Sequence, residues 1–234
     1  MNITFSFIIP VLREAPVIRE AVAGIRMLDG GETVEIIVVD GDPEGETLYA
    51  LSDGAVRKIL SGPGRGCQLN RGAEAASGEV LVFLHADTAL PRNALGRIGE
   101  ALRDDALAGG AFDLAIDSPR PIFRLIERAA SRRSRITRIP YGDQAIFLRR
   151  ACFRALGGFR ELPVMEDVDF MRRLRSSGGR IAILPERVVT SARRWEKEGV
   201  LYTTLRNWVL VALFTLGADA KRLARWYRPH RKPD

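Results

Sequence analysis

Only two cysteines and two histidines occur among the 234 residues. Cys67 and Cys152 are too few and too far apart for a disulfide framework, and no CxxC or Cys/His ligand spacing appears. A stapled mini-domain and a zinc module are therefore excluded. Aromatic residues are scarce at 7% and no nucleic-acid-binding motif is visible, which argues against a nucleic-acid binder despite the net charge of +7. Long apolar runs are lacking too. The most continuous, residues 208–216, lies in an uncharged stretch at 207–218, well short of the roughly 20 residues a spanning helix needs. The opening MNITFSFIIPVLRE has no positive n-region, and Pro10 and Arg13 interrupt its apolar stretch, so no export signal is expected. The sparse cysteine usage adds the expectation of a reduced, cytoplasmic compartment.

What is present suits a core-burying chain. Hydrophobic residues make up 46% and charged residues 28%, without long polar tracts, which fits one sizeable domain with an appendage. Short β-branched runs at 3–9 and 35–39 flank a stretch at 15–28 with apolar residues at helical spacing. The alternation continues with a strand at 56–60, a helix at 66–76, a strand at 80–84 and a helix at 92–103. Such βα repetition predicts an α/β fold whose mostly parallel sheet is covered by helices on both faces. Ligands of these sheets bind at the carboxyl ends of the strands. Beyond residue 110 the alternation loosens into strands at 111–116 and 144–148 around a helical segment, 120–138, that holds seven Arg and one Glu. Arg120, Arg124, Arg128 and Arg132 recur every fourth residue, as a solvated face or a contact for an anionic acceptor, lipid headgroups or a partner.

Several residues could carry chemistry. Asp40 ends the strand EIIVV and enters a turn-rich loop, so its carboxylate could accept hydrogen bonds from a nucleoside; an Asx turn is the plainer reading. His85 and Asp87 follow the strand VLVFL, and in extended chain residues two apart point the same way. Asp87 could then hold Mg²⁺ or Mn²⁺ together with a substrate diphosphate, His85 being a ligand or a packing residue. The loop SGPGRG at 61–66 precedes a helix and matches a dinucleotide fingerprint poorly, since Cys67 stands where the third glycine would fall. It still suits a phosphate approached by backbone and by Arg65. Finally, Glu166, Asp167 and Asp169 open an amphipathic helix, where acids suit the dipole or supply one base to a cleft.

As a set these residues resemble glycosyltransferase family 2, enzymes of the GT-A fold that use nucleotide-diphospho-sugars, and more narrowly a bacterial FLHADT-type subset. FIIPVLREA is similar to the family's opening strand and loop, VVDGD to its nucleotide-binding strand, FLHADT to its DxD position, and LRRACFRALGGFRE with MEDVDFMRRLRSSG to the approach to its ED pair. The resemblance spans residues 8–179. It implies a Rossmann-like GT-A catalytic domain at 1–195, with a nucleotide-binding half at 1–110 and an acceptor half at 111–195, then a C-terminal helical segment at 196–234. It implies an inverting transferase acting on an unspecified hydroxyl acceptor, with Asp167 as base. Pro10, Glu14, Asp40, Arg65, Asp87, Asp143, Glu166, Arg194 and Trp195 would line the donor site, and Asp87 with His85 would meet a divalent metal. SARRW at 191–195 is similar to the QxxRW motif of processive members, with Ser191 in place of Gln. Arg13, Gly41 and His85 depart from the pattern, the last two removing carboxylates that the family commonly has. A non-catalytic sugar-nucleotide-binding protein and a nucleotidyltransferase are the competing readings.

The segment 200–227 is apolar through its middle, with Lys221, Arg222, Arg225 and Arg228 towards and beyond its end. Burial against the catalytic domain is the expectation, ahead of pairing between subunits through the C-terminal helix or a peripheral contact with anionic lipid.

Overall fold

A computed structural model describes residues 3–226. Tyr227 and Arg228, part of the expected cationic end, lie outside the described residues. In chain order the elements are β1 (Phe5–Val11), α1 (Ala15–Arg26), β2 (Glu35–Asp40), α2 (Glu46–Tyr49), β3 (Val56–Leu60), α3 (Arg65–Ala75), β4 (Val80–Phe83), β5 (Thr88–Ala89) and α4 (Ala94–Ala101). The second half supplies β6 (Leu107–Asp117), α5 (Pro121–Thr137), β7 (Phe147–Arg149), α6 (Arg150–Ala155), α7 (Glu166–Ser176), β8 (Arg180–Ser191), α8 (Arg193–Glu198), α9 (Val200–Thr215) and α10 (Ala220–Ala224).

All eight strands join one sheet in the order β3-β2-β1-β4-β7-β6-β8-β5. The pairs β3–β2, β2–β1, β1–β4 and β6–β8 are parallel. The short strand β7 runs antiparallel between β4 and β6, and β5 runs antiparallel on β8. The sheet is thus mixed, its parallel ladders concentrated in the first half, where the βα periodicity is clearest.

The central strands are apolar at nearly every position because helices cover both faces. Side chains alternate all the same. On one face Phe7, Ile9, Ile36, Val38 and Val82 pack with Ile18, Val22 and Ile25 of α1, Ile98 of α4 and Phe123 of α5. On the other, Ile8, Ile37, Val39, Leu81 and Phe83 pack with Leu69 and Ala73 of α3, Phe153 of α6 and Phe170, Met171 and Leu174 of α7. Both clusters draw on residues before and after position 110. Within the second, Phe83, Phe153, Phe159 and Phe170 form a ring-on-ring group, with centroids 5.0 Å apart for Phe83–Phe159 and 4.9 Å for Phe159–Phe170. This group ties the start of α7 to the end of β4.

Three local outcomes depart from the sequence reading. Strand β8 is twelve residues long, yet Pro185, Glu186 and Arg187 hide its periodicity. The ladder to β6 absorbs them by a register shift, with Phe112 opposite Leu184 and Asp113 opposite Arg187. The arginine stripe on α5 divides. Arg124 donates to the carbonyls of Ile116 and Ser118 and pairs with buried Glu127 at 2.9 Å, whereas Arg128, Arg132 and Arg135 line a cavity of about 250 Å³ with Asp113 and Arg187. Helix α9, expected to be buried, is only half covered: Val200, Thr203 and Leu210 are buried and Leu213 and Phe214 partly so, while Leu201, Tyr202, Leu205, Trp208 and Val209 are exposed. No described helix is long and apolar enough to cross a membrane.

The β6–β7 contact leaves no room for a side chain at Gly109. A Cβ there would come within 2.1 Å of the Phe147 carbonyl oxygen, a backbone atom that cannot swing aside. Gly109→Ala should lower the unfolding free energy by about 1–3 kcal/mol. Denaturant unfolding of the two proteins checks this, and an unchanged midpoint would contradict the close approach.

Candidate functional site

The parallel strands β1, β2 and β4 end at one edge of the sheet, and their ends and the loops leaving them carry Pro10, Glu14, Asp40, His85 and Asp87. Pro10, half-buried, lies opposite Val39 near the end of β1. Asp40 ends β2 but does not project into solvent. It is fully buried, and its two oxygens accept the backbone N–H groups of Asp42 at 2.9 Å and Thr47 at 3.2 Å. The carboxylate therefore shapes the loop from residue 41 to 47, in the manner of an Asx turn.

His85 and Asp87 separate. The Thr88 N–H donates to the His85 carbonyl at 3.2 Å, so the chain turns there and the two side chains do not share a face as extended chain would require. Asp87 instead joins Glu14, from the start of α1, around Arg193 at the start of α8. The guanidinium lies 3.4 Å from Glu14 and 3.7 Å from Asp87. Burial raises the Glu14 carboxyl above its ordinary range, with Arg193 opposing and Asp87 reinforcing. Arg193 was not singled out in the sequence; the only signal was its place in SARRW, where attention falls on Arg194 and Trp195.

His85 faces the second acidic group. It lines a small cavity of about 10 Å³, roughly one water, together with Arg65, Gly142, Glu166 and Asp167. Burial holds the imidazole well below its usual value of 6.5, and the nearby Arg65 and Arg194 charges push the same way. The Asp167 carboxylate accepts the backbone N–H of Gly142 and of Val168, each at 2.7 Å. Its oxygens are thereby fixed while retaining free lone pairs. Gly142 has to be glycine-sized, since a Cβ would stand 2.9 Å from His85 Nε2 and 3.4 Å from Asp167 Oδ2. Glu166 is 4% exposed and lies 3.6 Å from Arg65. Burial pushes its carboxyl up to about 7; Arg65 counters this and Asp167 adds to it. Asp169, the third acid of the turn, serves structure, held by Arg160 at 3.2 Å and Arg173 at 2.8 Å.

Beyond Gly142 the segment 141–144 carries a further layer. Asp143 is pushed up to about 6 by burial, against the pull of Arg133 and with a push from Asp167. Arg133 stacks over the Tyr141 ring at 3.2 Å and donates to Gln144 at 3.1 Å. Tyr141 and Arg133 carried no sequence signal beyond composition. Trp195, by contrast, turns into the core, its ring edge-on to Phe123 at 6.0 Å. Arg194 approaches Glu198 at 4.0 Å and acts on His85 through its charge.

Glu14, Asp87 and Arg193 thus form one polar group, and Arg65, His85, Glu166 and Asp167 a second, drawn from the ends of β1 and β4 and the first turns of α3, α7 and α8. Among the described residues no three His, Cys, Asp or Glu side chains cluster tightly enough to hold a metal by themselves. Asp87 with Glu14 beside it is compatible with a hard cation that takes most of its ligands from a substrate, as Mg²⁺ commonly does. His85 belongs to the other group.

The model of the family described as glycosyl transferase family 2 matches residues 6–158. Solved structures share the fold. A mannosyltransferase, PcManGT from Pyrobaculum calidifontis, in complex with GDP-Man and Mn²⁺, superposes with a TM-score of 0.67 at 22% identity, covering 100% of this chain and 66% of its own. Residues 1–349 of TarS from S. aureus, in complex with UDP-GlcNAc, give 0.61 at 19% identity over 80% of this chain and 58% of that one. The same TarS fragment in a second structure gives 0.63 at 20% identity, over 92% and 66%. The chain therefore spans about two thirds or less of these structures, and at such identities the likeness is one of fold. No curated protein matches. Because the family model covers well over half of the chain and the sheet has the family's architecture, the chain belongs to glycosyl transferase family 2.

Proposed function

We propose that the protein is an inverting glycosyltransferase that moves a hexosyl-type sugar from a nucleotide-diphospho-sugar to a hydroxyl acceptor, with Asp167 as the base. The observation that carries this reading is the meeting of Asp167, held by two backbone N–H groups, with His85 and Arg65 at the carboxyl end of β4. Strand, Gly-rich loop and acidic helix come from distant parts of the chain. Keeping a buried Glu166 at about 7 beside them is costly, which marks the place as functional rather than merely packed.

In the proposed reaction the acceptor hydroxyl gives its proton to an Asp167 oxygen as its own oxygen forms a bond to the anomeric carbon. The bond from that carbon to the diphosphate breaks, the electron pair leaves with the nucleoside diphosphate, and configuration inverts. Arg65, 3.6 Å from Glu166, and Arg193, between Glu14 and Asp87, put positive charge beside the region where the leaving group would gather negative charge. A divalent cation held at Asp87, with Glu14 adjacent, would neutralise part of that charge when bound. Burial pushes the neighbouring Glu166 carboxyl up to about 7, which favours its neutral form beside Asp167.

Asp167→Asn should cut turnover by about 10²- to 10⁴-fold while sparing donor binding. Transfer assays with each of the common nucleotide sugars, alongside thermal shift for binding, read both quantities. Full transfer by the variant would overturn the assignment, and donor binding without transfer or hydrolysis by the native protein would favour a binding protein. In the same thermal-shift format a nucleoside diphosphate with Mn²⁺ should stabilise the native protein more than either alone, an excess that Asp87→Ala removes.

The Glu166 carboxyl also sets a pH dependence. Unfolded, it loses its proton near 4.5; folded, near 7. Between these values the folded state binds more protons, so this group's stabilisation is complete below the lower value and is lost as pH rises through the higher one. Glu166→Gln should therefore gain stability relative to the native protein as pH climbs across this window. Paired melting curves at a series of pH values would show it, and a constant difference would refute the raised value.

A further inference from the structure

Helix α9 presents apolar side chains on both sides. Two of its polar residues face the protein: Thr203 is fully buried, and Arg206, with 8% of its side chain exposed, pairs with Glu198 at 2.6 Å. Opposite them, Leu201, Leu205, Trp208 and Val209 face outward, with Leu216 just past the helix end, all exposed by 46% to 85%. Leu205 follows Leu201 by four residues, and Trp208 and Val209 follow Leu205 by three and four, so these side chains lie on one stripe. Tyr202 and Trp226 flank it, also more than half exposed. Water gives a helix no reason to present this side.

From this geometry we infer that the α9 face is a docking surface for an anionic lipid bilayer, with the helix lying in the plane of the headgroup boundary. Sixteen residues make a helix of about 24 Å, too short to span the hydrocarbon. Its outward face has the composition of an interfacial helix, aliphatic residues with Trp and Tyr. Charge selects the occupant. Between Glu198 and Asp219 the chain has no acid and one cation, Arg206, and over residues 199–234 it has seven Lys or Arg against two Asp. Of these, Lys221, Arg222 and Arg225 are exposed beside the stripe in sequence. A second copy would set this cationic segment against a face without acids. Anionic headgroups supply the missing charge. The inner side of α9 is anchored where it matters, for Leu210, Leu213 and Phe214 pack with Val164 and Met165, the residues directly before Glu166 and Asp167. A bound bilayer would therefore lie along the helix that braces the acidic pair.

Flotation of the full chain with vesicles tests the surface without reference to the transferase reading. Binding is expected to vesicles of phosphatidylcholine with phosphatidylglycerol and to be much weaker with phosphatidylcholine alone. Bromine-labelled lipid should quench the tryptophan emission of the native protein, a readout that needs no variant. Leu205→Glu with Trp208→Glu should abolish flotation with an unchanged circular dichroism melt, because both side chains already face water. Replacing Lys221, Arg222 and Arg225 by Gln should weaken anionic binding by about a hundredfold and flatten its salt dependence. Failure of the native protein to float, or flotation that survives the Leu205/Trp208 pair of changes, would overturn the inference. So would a concentration-dependent dimer in sedimentation velocity that the same pair dissolves, which would give the face to a second copy.

Discussion

The packing of Phe83, Phe153, Phe159 and Phe170 is the constraint on which the acidic site depends. Phe83 stands two residues before His85, and Phe170 one helical turn after Glu166. Phe153 and Phe159, each in contact with both Phe83 and Phe170, fix the end of β4 against the start of α7 to within the tolerance of close packing. Without that fixed distance Asp167 could not take the Gly142 N–H and face His85 at the same time. The apolar group thus positions groups whose own interactions are unfavourable to bury.

The polar side of the site shows the corresponding cost. Glu166 and Asp143 are both pushed up by burial and by the Asp167 charge; Arg65 pulls Glu166 back, and Arg133 with Arg65 pulls Asp143 back. Arg133 is itself buried enough to be lowered, and it is kept in place by the Tyr141 ring and Gln144. Such opposed pairs are worth little as stability devices, because the desolvation of each ion offsets much of the attraction. They are characteristic of places where protonation states must differ among neighbouring carboxyls. The cation Arg193, shared by Glu14 and Asp87, extends the pattern to the end of β1.

Much of the fold was legible because one face-independent property, strand hydrophobicity, persists when a sheet is covered on both sides. The βα alternation through residue 103 is found as expected, and β6 and α5 fall where the sequence put them. Strand β8 escaped because Pro185, Glu186 and Arg187 sit in its middle, and a register shift that accommodates them leaves no periodic trace. Helix α9 misled in the opposite way. Apolar content suggested burial, whereas content alone does not say which side of a helix meets the protein.

The sequence by itself determined the strand ends, the Gly-rich loop and the acid-opened helix, since each is written in local propensity and in residues a few positions apart. Only the tertiary structure decided how these pieces group. It set Asp87 with Glu14 and Arg193 but His85 with Asp167, committed Asp40 to its own loop, and turned Trp195 into the core. The reason is that a single turn at residues 85–88 and the direction in which each helix enters the sheet redirect side chains by far more than sequence spacing records.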